Sequence, residues 1–483
     1  MSAEITINNG RRERANDETL NELFERAARK RGARAKNRTE KSAVVSTIDT
    51  NKKTVKTKNK TKSRKKVSQL AKQTISSEEQ IWLLDPWVLF LSISLIVLGI
   101  IMVGSASISI AERNNAEPFY YLYRQLIATG LGMGLGLLVL FTPIKFWEKT
   151  GPVLLLIGIL LLITVLIPGM GREINGSVRW IPMGIFNFQV SELVKLAMVI
   201  YLAGYLVRHN ETVKKTMKGF FVPMLVLACV ATLLLLEPDL GAAVVISVTA
   251  LGMLFLGGVR LWQFLVLMLV LGVCVYFLIV LEPYRMERLQ SFMDPWADPF
   301  NSGFQLTQSL IAFGRGELMG VGLGNSIQKL FYLPEGHTDF LFAVLAEELG
   351  GMGAITVIGL FTALVIRVFI LAKKADVANK PFSAYMMFGL AIWIGLQAFV
   401  NIAVNMGALP TKGLTLPLMS YGGSSLIICC VAIGLLMRIH YETNGLAKQA
   451  SKNSTRKSAT RKSATRKAVT GKTRKNTKPV SQQ

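Results

Sequence analysis

The sequence predicts an all-α polytopic membrane protein of about ten transmembrane helices, since apolar runs near the length that a hydrocarbon core requires recur along it. Three observations carry this. The chain of 483 residues is 51% hydrophobic, and its apolar residues are gathered into long runs between Pro86 and His440. The connections between runs alternate between rich and poor in Lys and Arg. Both flanks of the apolar region are polar and basic.

The runs place spans at 87–109, 120–141, 151–168, 190–207, 219–236, 240–258, 261–282, 339–371, 382–407 and 416–438. The eighth is too long for one straight crossing, so it tilts or begins outside the bilayer. Residues 81–443 therefore form the membrane domain. Residues 1–80 and 444–483 have too few large apolar residues to bury a core and read as disordered basic tails. In the first tail, Asp17 can cap a short amphipathic helix with Leu20, Leu23, Phe24 and Ala27 on one face. The second carries a five-residue repeat around Arg456, Arg461 and Arg466. The first apolar run starts too late for a cleavable signal peptide and reads as an uncleaved signal anchor.

Most of the net charge of +25 sits in the tails, where it favours anionic lipid headgroups. No nucleic-acid motif accompanies it, so nucleic acid is not an expected partner. All four cysteines, Cys229, Cys274, Cys429 and Cys430, fall inside apolar runs and read as small hydrophobes without metal or disulfide spacing.

Loop charge sets the orientation, because short loops rich in Lys and Arg stay in the cytoplasm. Lys145 and Lys149, then Arg208, Lys214, Lys215 and Lys218, then Arg260, then Arg367, Lys373, Lys374 and Lys380 fall in alternate connections. Both termini are expected on that cytoplasmic side. Arg172, Arg179, Arg285, Arg288, Arg315, Lys329 and Lys412 lie on the opposite side, where the rule disfavours them, so an external anion is expected there.

The outer connection from Glu282 to Thr338 is far longer than the others and shows no obvious periodic structure, which is the mark of a functional loop. It ends in Glu335, His337 and Asp339, ionisable groups at the point of re-entry into lipid. Partial burial would raise the pKa of Asp339 and suit a general base, whereas a capping role at the helix start would depress it; the residue pattern leaves both open. Glu192 and Lys195, three apart in one run, read equally as a structural ion pair or as a substrate contact. Glu347 and Glu348 face inward singly or together. The carboxylates of Glu237-Pro238-Asp239 and the Pro-flanked Asp298 read as turn residues. Together these parts suit a lipid-linked anionic substrate: apolar grooves for a polyprenyl tail, outer cations for a diphosphate, and a carboxylate for a hydroxyl proton.

Several motifs, in order, resemble the SEDS family over roughly 85–443. They are Asn175-Gly176 through Arg179-Trp180, Ser191-Glu192 through Lys195, Pro238-Asp239-Leu240-Gly241, the Asp298-Pro299 loop, His337-Thr338-Asp339-Phe340, and Pro410 through Ser425. The stretches Asn301 to Ser309 and Gly322 to Ser326 resemble the cell-division branch more than the elongation branch. Gly336 is a mild departure from the family's frequent alanine.

The resemblance implies an inverting peptidoglycan glycosyltransferase that polymerises lipid II at the septum of the bacterial inner membrane. It acts beside a class B penicillin-binding protein transpeptidase of the FtsI type and other division proteins. By position, Asp339 is the expected catalytic base. Lys412, Arg285 and Arg179 would hold the diphosphate, and Trp180 would pack the sugar or anchor at the interface. Glu335, His337, Lys195, Gln305 and Ser420 are further expected substrate contacts. No resident cofactor or metal ligand is expected, a divalent cation (Mg or Mn) being the one addition left open. The competing readings are a lipid II flippase, an elongation polymerase and a non-catalytic scaffold.

Overall fold

A computed structural model describes residues 84–115, 117–174, 177–182, 187–281 and 283–444, with a few helical side chains, those of Arg285 and Cys274 among them, left undescribed. Both tails, the Asp17 helix, the Arg456 repeat and the Asn175-Gly176 pair lie outside the described residues.

Each expected span has a helix. They are α1 (Pro86–Asn115), α2 (Tyr120–Phe141), α3 (Ile144–Leu166), α4 (Val190–Arg208), a short α5 (Asn210–Lys215), α6 (Met217–Leu236), α7 (Leu240–Leu256) and α8 (Leu261–Val280). After the outer connection come α11 (Leu341–Val377), α12 (Pro381–Asn405) and α13 (Gly423–Asn444). Among the described residues, 8 helices are long and apolar enough to cross a membrane; α7 is apolar but shorter, at 17 residues. The protein is a multi-pass membrane protein.

Burial separates centre from periphery. In α4 and α13, 83% of the crossing is buried in protein, against 28% in α3 and α6. Large apolar side chains such as Leu138, Phe141, Leu156, Phe221 and Leu225 are exposed on the outer helices, which is the natural pattern where lipid is the solvent. The start of α1 follows from its sequence: Asp85 accepts the Val88 N–H at 3.0 Å, and Pro86 occupies the first turn, where no N–H is missed.

Four features differ from the sequence reading. The long outer connection is structured, holding α9 (Pro283–Met293), α10 (Phe304–Gly316) and a π-turn at Gln328–Tyr332. Of its short helices, α10 packs on α11 and α9 on α8, so their apolar residues do not form an isolated periodic stripe. The second difference lies between α3 and α4, where a three-stranded antiparallel sheet forms from β1 (Arg172–Ile174), β2 (Ser177–Pro182) and β3 (Asn187–Gln189), with Trp180 opposite Gln189. Such short strands leave almost no periodicity to read.

Thirdly, the over-long eighth span is broken. Gly350 takes φ 68° and ψ −170° inside α11, and a Cβ there would meet Gly320 N at 2.3 Å. Only glycine fits both demands. Loop amides fill the break: Val321 N–H donates to Glu347 O at 3.0 Å and Gly322 N–H to Glu348 O at 3.0 Å. Finally, α13 starts at Gly423 and not at 416, because 416–422 forms turns with Leu418 at φ 64°.

Candidate active site

Asp339 sits one residue before the N-cap of α11, in a tight turn closed by Phe340 N–H to Glu335 O at 3.1 Å. It does not cap the helix. The Ala343 N–H, an orphan donor of the first turn, is taken instead by Asn405 Oδ1 at 3.0 Å. The Asp339 carboxylate therefore faces a cavity of 1420 Å³, larger than the usual range for small-ligand sites of about 300–1,000 Å³.

The cavity has a polar end and an apolar flank. Arg179 and Trp180 reach it from β2, Asp239 from the α6–α7 turn, Arg288 from α9 and Gln305 from α10. Glu335, Asp339 and Lys412 complete the polar end. Apolar lining comes from Ile127 and Leu131 of α2 and from Leu235, Leu236 and Leu240 of α6 and α7, and Arg124 of α2 also lines the cavity. Such a divided lining suits a molecule with a charged head and a hydrocarbon tail.

Burial pushes the Asp339 carboxyl up to about 7; Glu335 and Asp239 add to the rise, and Arg179 and Arg288 oppose it. This is the behaviour of a confined base and not of a helix cap. Glu335 is held in place by the Thr338 hydroxyl at 2.5 Å. Arg179 is braced by Glu237 O at 3.2 Å, by Pro238 O at 2.5 Å and by the Asp239 carboxylate at 3.8 Å. Asp239 also caps α7 at Ala242 N–H, 3.1 Å, and accepts Ser191 Oγ at 3.0 Å, so the expected turn residue is at the same time part of the cavity wall. Beside it, the Glu237 carboxyl is buried, with neither oxygen hydrogen-bonded among the described residues. Burial, then Asp239, pushes it up to about 8, which favours the protonated form at neutral pH.

The structure distributes the expected site residues unevenly. Asp339, Lys412, Arg179, Trp180, Glu335 and Gln305 share the cavity wall. Three others do not line it. Lys195 is buried in a pair with Glu192 at 2.8 Å and donates to Gln397 Oε1 at 2.7 Å, so its charge is consumed internally. His337 is buried between Tyr121 and Tyr421, with ring centroids 4.7 and 5.6 Å away, and burial lowers its pKa toward the neutral ring. Ser420 closes its own turn, accepting Leu416 N–H at 3.0 Å. Arg285 lies in α9, but its side chain is outside the described residues. Asp298 has the expected turn role, accepting Asn301 Nδ2 at 3.0 Å and Ser302 N–H at 3.2 Å.

Two outer cations serve the protein itself. Glu347 and Glu348, both fully buried, pair with Arg315 at 2.9 Å and Lys329 at 3.1 Å, and Ser105 of α1 donates to Glu348 at 2.7 Å. The expectation that every outer cation awaits an external anion therefore fails for Arg315 and Lys329. Conversely, Arg124 and Arg288 line the cavity without having been singled out as site residues. The available signal for Arg124 was a lone cation at the outer end of an apolar run.

Residues 86–445 match the family model of FtsW, RodA and SpoVE, described as cell cycle proteins. The chain belongs to that family. Among FtsW/RodA/SpoVE relatives, it is 58% identical to the probable peptidoglycan glycosyltransferase FtsW of Nitrosococcus halophilus, over 74% of this chain and 92% of that one. It is 53% identical to the probable peptidoglycan glycosyltransferase FtsW of Coxiella burnetii, over 77% of this chain and 99% of that one. Among solved structures, a chain of a peptidoglycan synthase complex that coordinates polymerization and crosslinking matches with TM-score 0.62 and 33% identity, covering 74% of this chain and 98% of that one. The rod-shape-determining protein RodA of Thermus thermophilus matches with TM-score 0.55 and 30% identity, over 74% and 96%. The SEDS membrane fold expected from the motifs is thus the fold of this chain.

Proposed function

We propose that this cavity is the active site of a peptidoglycan glycosyltransferase, which joins lipid II disaccharide units into glycan strands during septal wall synthesis. The observation that carries the site is Asp339, a confined carboxylate poised near neutral pH and ringed by Arg179, Arg288 and Lys412 at the polar end of an amphipathic cavity. A base with a pKa near the operating pH combines a large ionised fraction with adequate proton affinity.

In the reaction, Asp339 removes the proton from the 4-hydroxyl of the acceptor N-acetylglucosamine. The oxygen attacks the anomeric carbon of the donor sugar, the bond to the undecaprenyl diphosphate breaks, and the configuration inverts. Negative charge that develops on the departing diphosphate is met by Lys412, Arg179 and Arg288, with Arg285 a further candidate from the same helix as Arg288. Ile127, Leu131 and Leu236 offer the apolar flank for the polyprenyl chain. Among the described residues no three His, Cys, Asp or Glu side chains form a metal-holding group. Mg²⁺ commonly takes one or two carboxylates plus substrate phosphates, so an ion of that kind would come with the substrate's diphosphate. Such an ion would neutralise diphosphate charge. The site faces the outer side, with both termini cytoplasmic, as loop charge requires. Crosslinking falls to a class B penicillin-binding protein partner.

The test is polymerisation of labelled lipid II by the full chain reconstituted with that partner. Asp339→Asn removes the base while preserving shape, so glycan synthesis is expected to vanish with the melting temperature unchanged. Retained polymer would overturn the assignment, and translocation without polymer would point to a flippase.

A further inference from the structure

Within α12, Asn401 and Asn405 are both buried and lie one helical turn apart. Buried amides in a membrane-spanning helix are costly unless their hydrogen bonds are made, so the partners they take are informative. Asn401 Nδ2 donates to Asp339 O at 2.8 Å and to Leu414 O at 2.6 Å. Asn405 Nδ2 donates to the same Asp339 carbonyl at 2.9 Å and to Asn401 O at 2.9 Å. One carbonyl thus receives two amide donors, filling both of its lone pairs. Asn405 also has the capping role at Ala343, and its own carbonyl accepts Ser309 Oγ from α10 at 2.7 Å. Asn401 caps nothing. Both bonds that its amide nitrogen donates go to the two segments that carry Asp339 and Lys412, and its Oδ1 accepts from Asn405 Nδ2 at 3.5 Å.

Those two segments meet closely. A Cβ built on Gly413 would lie 3.1 Å from Asp339 Oδ2, with no other atom within 4 Å. Leu414, whose carbonyl Asn401 holds, follows directly after Lys412 and Gly413. The spacing between the Asp339 turn and the Lys412–Gly413 segment is therefore held from behind by α12.

We propose that Asn401, supported by Asn405, is a positioning residue that holds the Asp339 turn and the Lys412–Gly413 segment in one register, so that base and diphosphate-binding cation address the same substrate. The inference rests on the reading of Asp339 as the base. Groups facing Asp339 are Glu335 from its own turn, Arg179 from β2, Asp239 from the α6–α7 turn, Arg288 from α9 and Lys412 from the facing segment. A substitution at Asn401 leaves every one of these charged groups in the chain and changes only how the turn and the facing segment are held.

The experiment measures kcat, KM and the pH–rate profile for lipid II polymerisation by the full chain with its transpeptidase partner, comparing wild type, Asn401→Leu, Gly413→Ala and Asp339→Asn. For Asn401→Leu, kcat is expected to fall by about tenfold or more while KM changes little, since a small misplacement of reacting groups costs rate without removing binding contacts. The acid limb should also move to lower pH, because a loosened carboxylate regains water. Gly413→Ala probes the register from the opposite side and leaves α12 untouched. Its methyl group excludes water from Oδ2 and should move the limb to higher pH. A wild-type profile for Asn401→Leu, or a lower plateau with the limb unmoved, would overturn the positioning role and leave a merely structural amide. If Asn401→Leu does not fold, an unmoved limb in Gly413→Ala overturns it, because a segment not held in register would relax away. Polymerisation by Asp339→Asn would instead sink the base assignment, a failure distinguishable from the first.

Discussion

Two groups of outer cations contain the same residue types on the same side of the chain, and they do different things. Arg179, Arg288 and Lys412 point into a cavity with a carboxylate poised near neutrality. Arg315 and Lys329 are drawn onto the buried pair Glu347 and Glu348, which they neutralise beneath the break at Gly350. The difference lies in what each group meets. The first lines an opening between helices, Arg179 and Arg288 being steadied there by loop carbonyls and Arg179 also by Asp239. The second is matched to fully buried carboxylates that cannot remain unpaired at that depth. Charge sign and membrane side identify candidate cations, and only the folded chain separates those that line the cavity from those matched to buried carboxylates.

Breaking the structural pair should have the largest effect on stability. Lys329→Met leaves Glu348 buried without its cation, and removing one partner of such a pair costs about 3–5 kcal/mol. Thermal unfolding in detergent should show a marked loss, while the folded fraction keeps its turnover; a large drop in kcat with unchanged stability would erase the contrast between the groups. The reverse is expected for Lys412→Ala. Its removal should lower kcat by about 10²–10³, the scale for one transition-state donor, with a smaller loss of stability than Lys329→Met.

A pH titration of the wild-type enzyme sharpens the comparison with the smallest perturbation. Asp339 acts as a base only when ionised, so activity should rise with pH through about 7 and fall away below it. Half-maximal activity near pH 4, the ordinary carboxylate range, would mean that Asp339 is not confined as the structure has it.

Much of the site was legible before folding because ionisable residues beside apolar runs are rare and conspicuous. Asp339, Lys412, Arg179 and Glu335 are among those conspicuous on that ground, and the resemblance to the family's motifs picked Asp339, Lys412 and Arg179 out from the rest. Lys195 stood out equally and was read as open between pairing and substrate; the nearness of Glu192 and Gln397 decides it, and Gln397 lies on a helix far along the chain. His337 and Ser420 belong to the right segments but turn away from the cavity, since one residue's difference in a tight turn reverses a side chain's direction. The break in α11 left a faint trace in the Gly350-Gly351 pair and in the excess length of the run. The sheet between α3 and α4 left almost none.

The sequence by itself determined the solvent, the order of the apolar spans, and the segments rich in chemistry. Each of these depends on local composition: apolar length against bilayer thickness, and cations against the side of the membrane. Tertiary structure alone decided which carboxylate caps and which one waits as a base, which cations are internal, and that two asparagines of α12 hold the base and its neighbouring cation together. Those outcomes depend on hydrogen bonds between residues distant in the chain, such as Asn401 to Asp339 and Lys329 to Ser105, and no local pattern encodes a partner's direction.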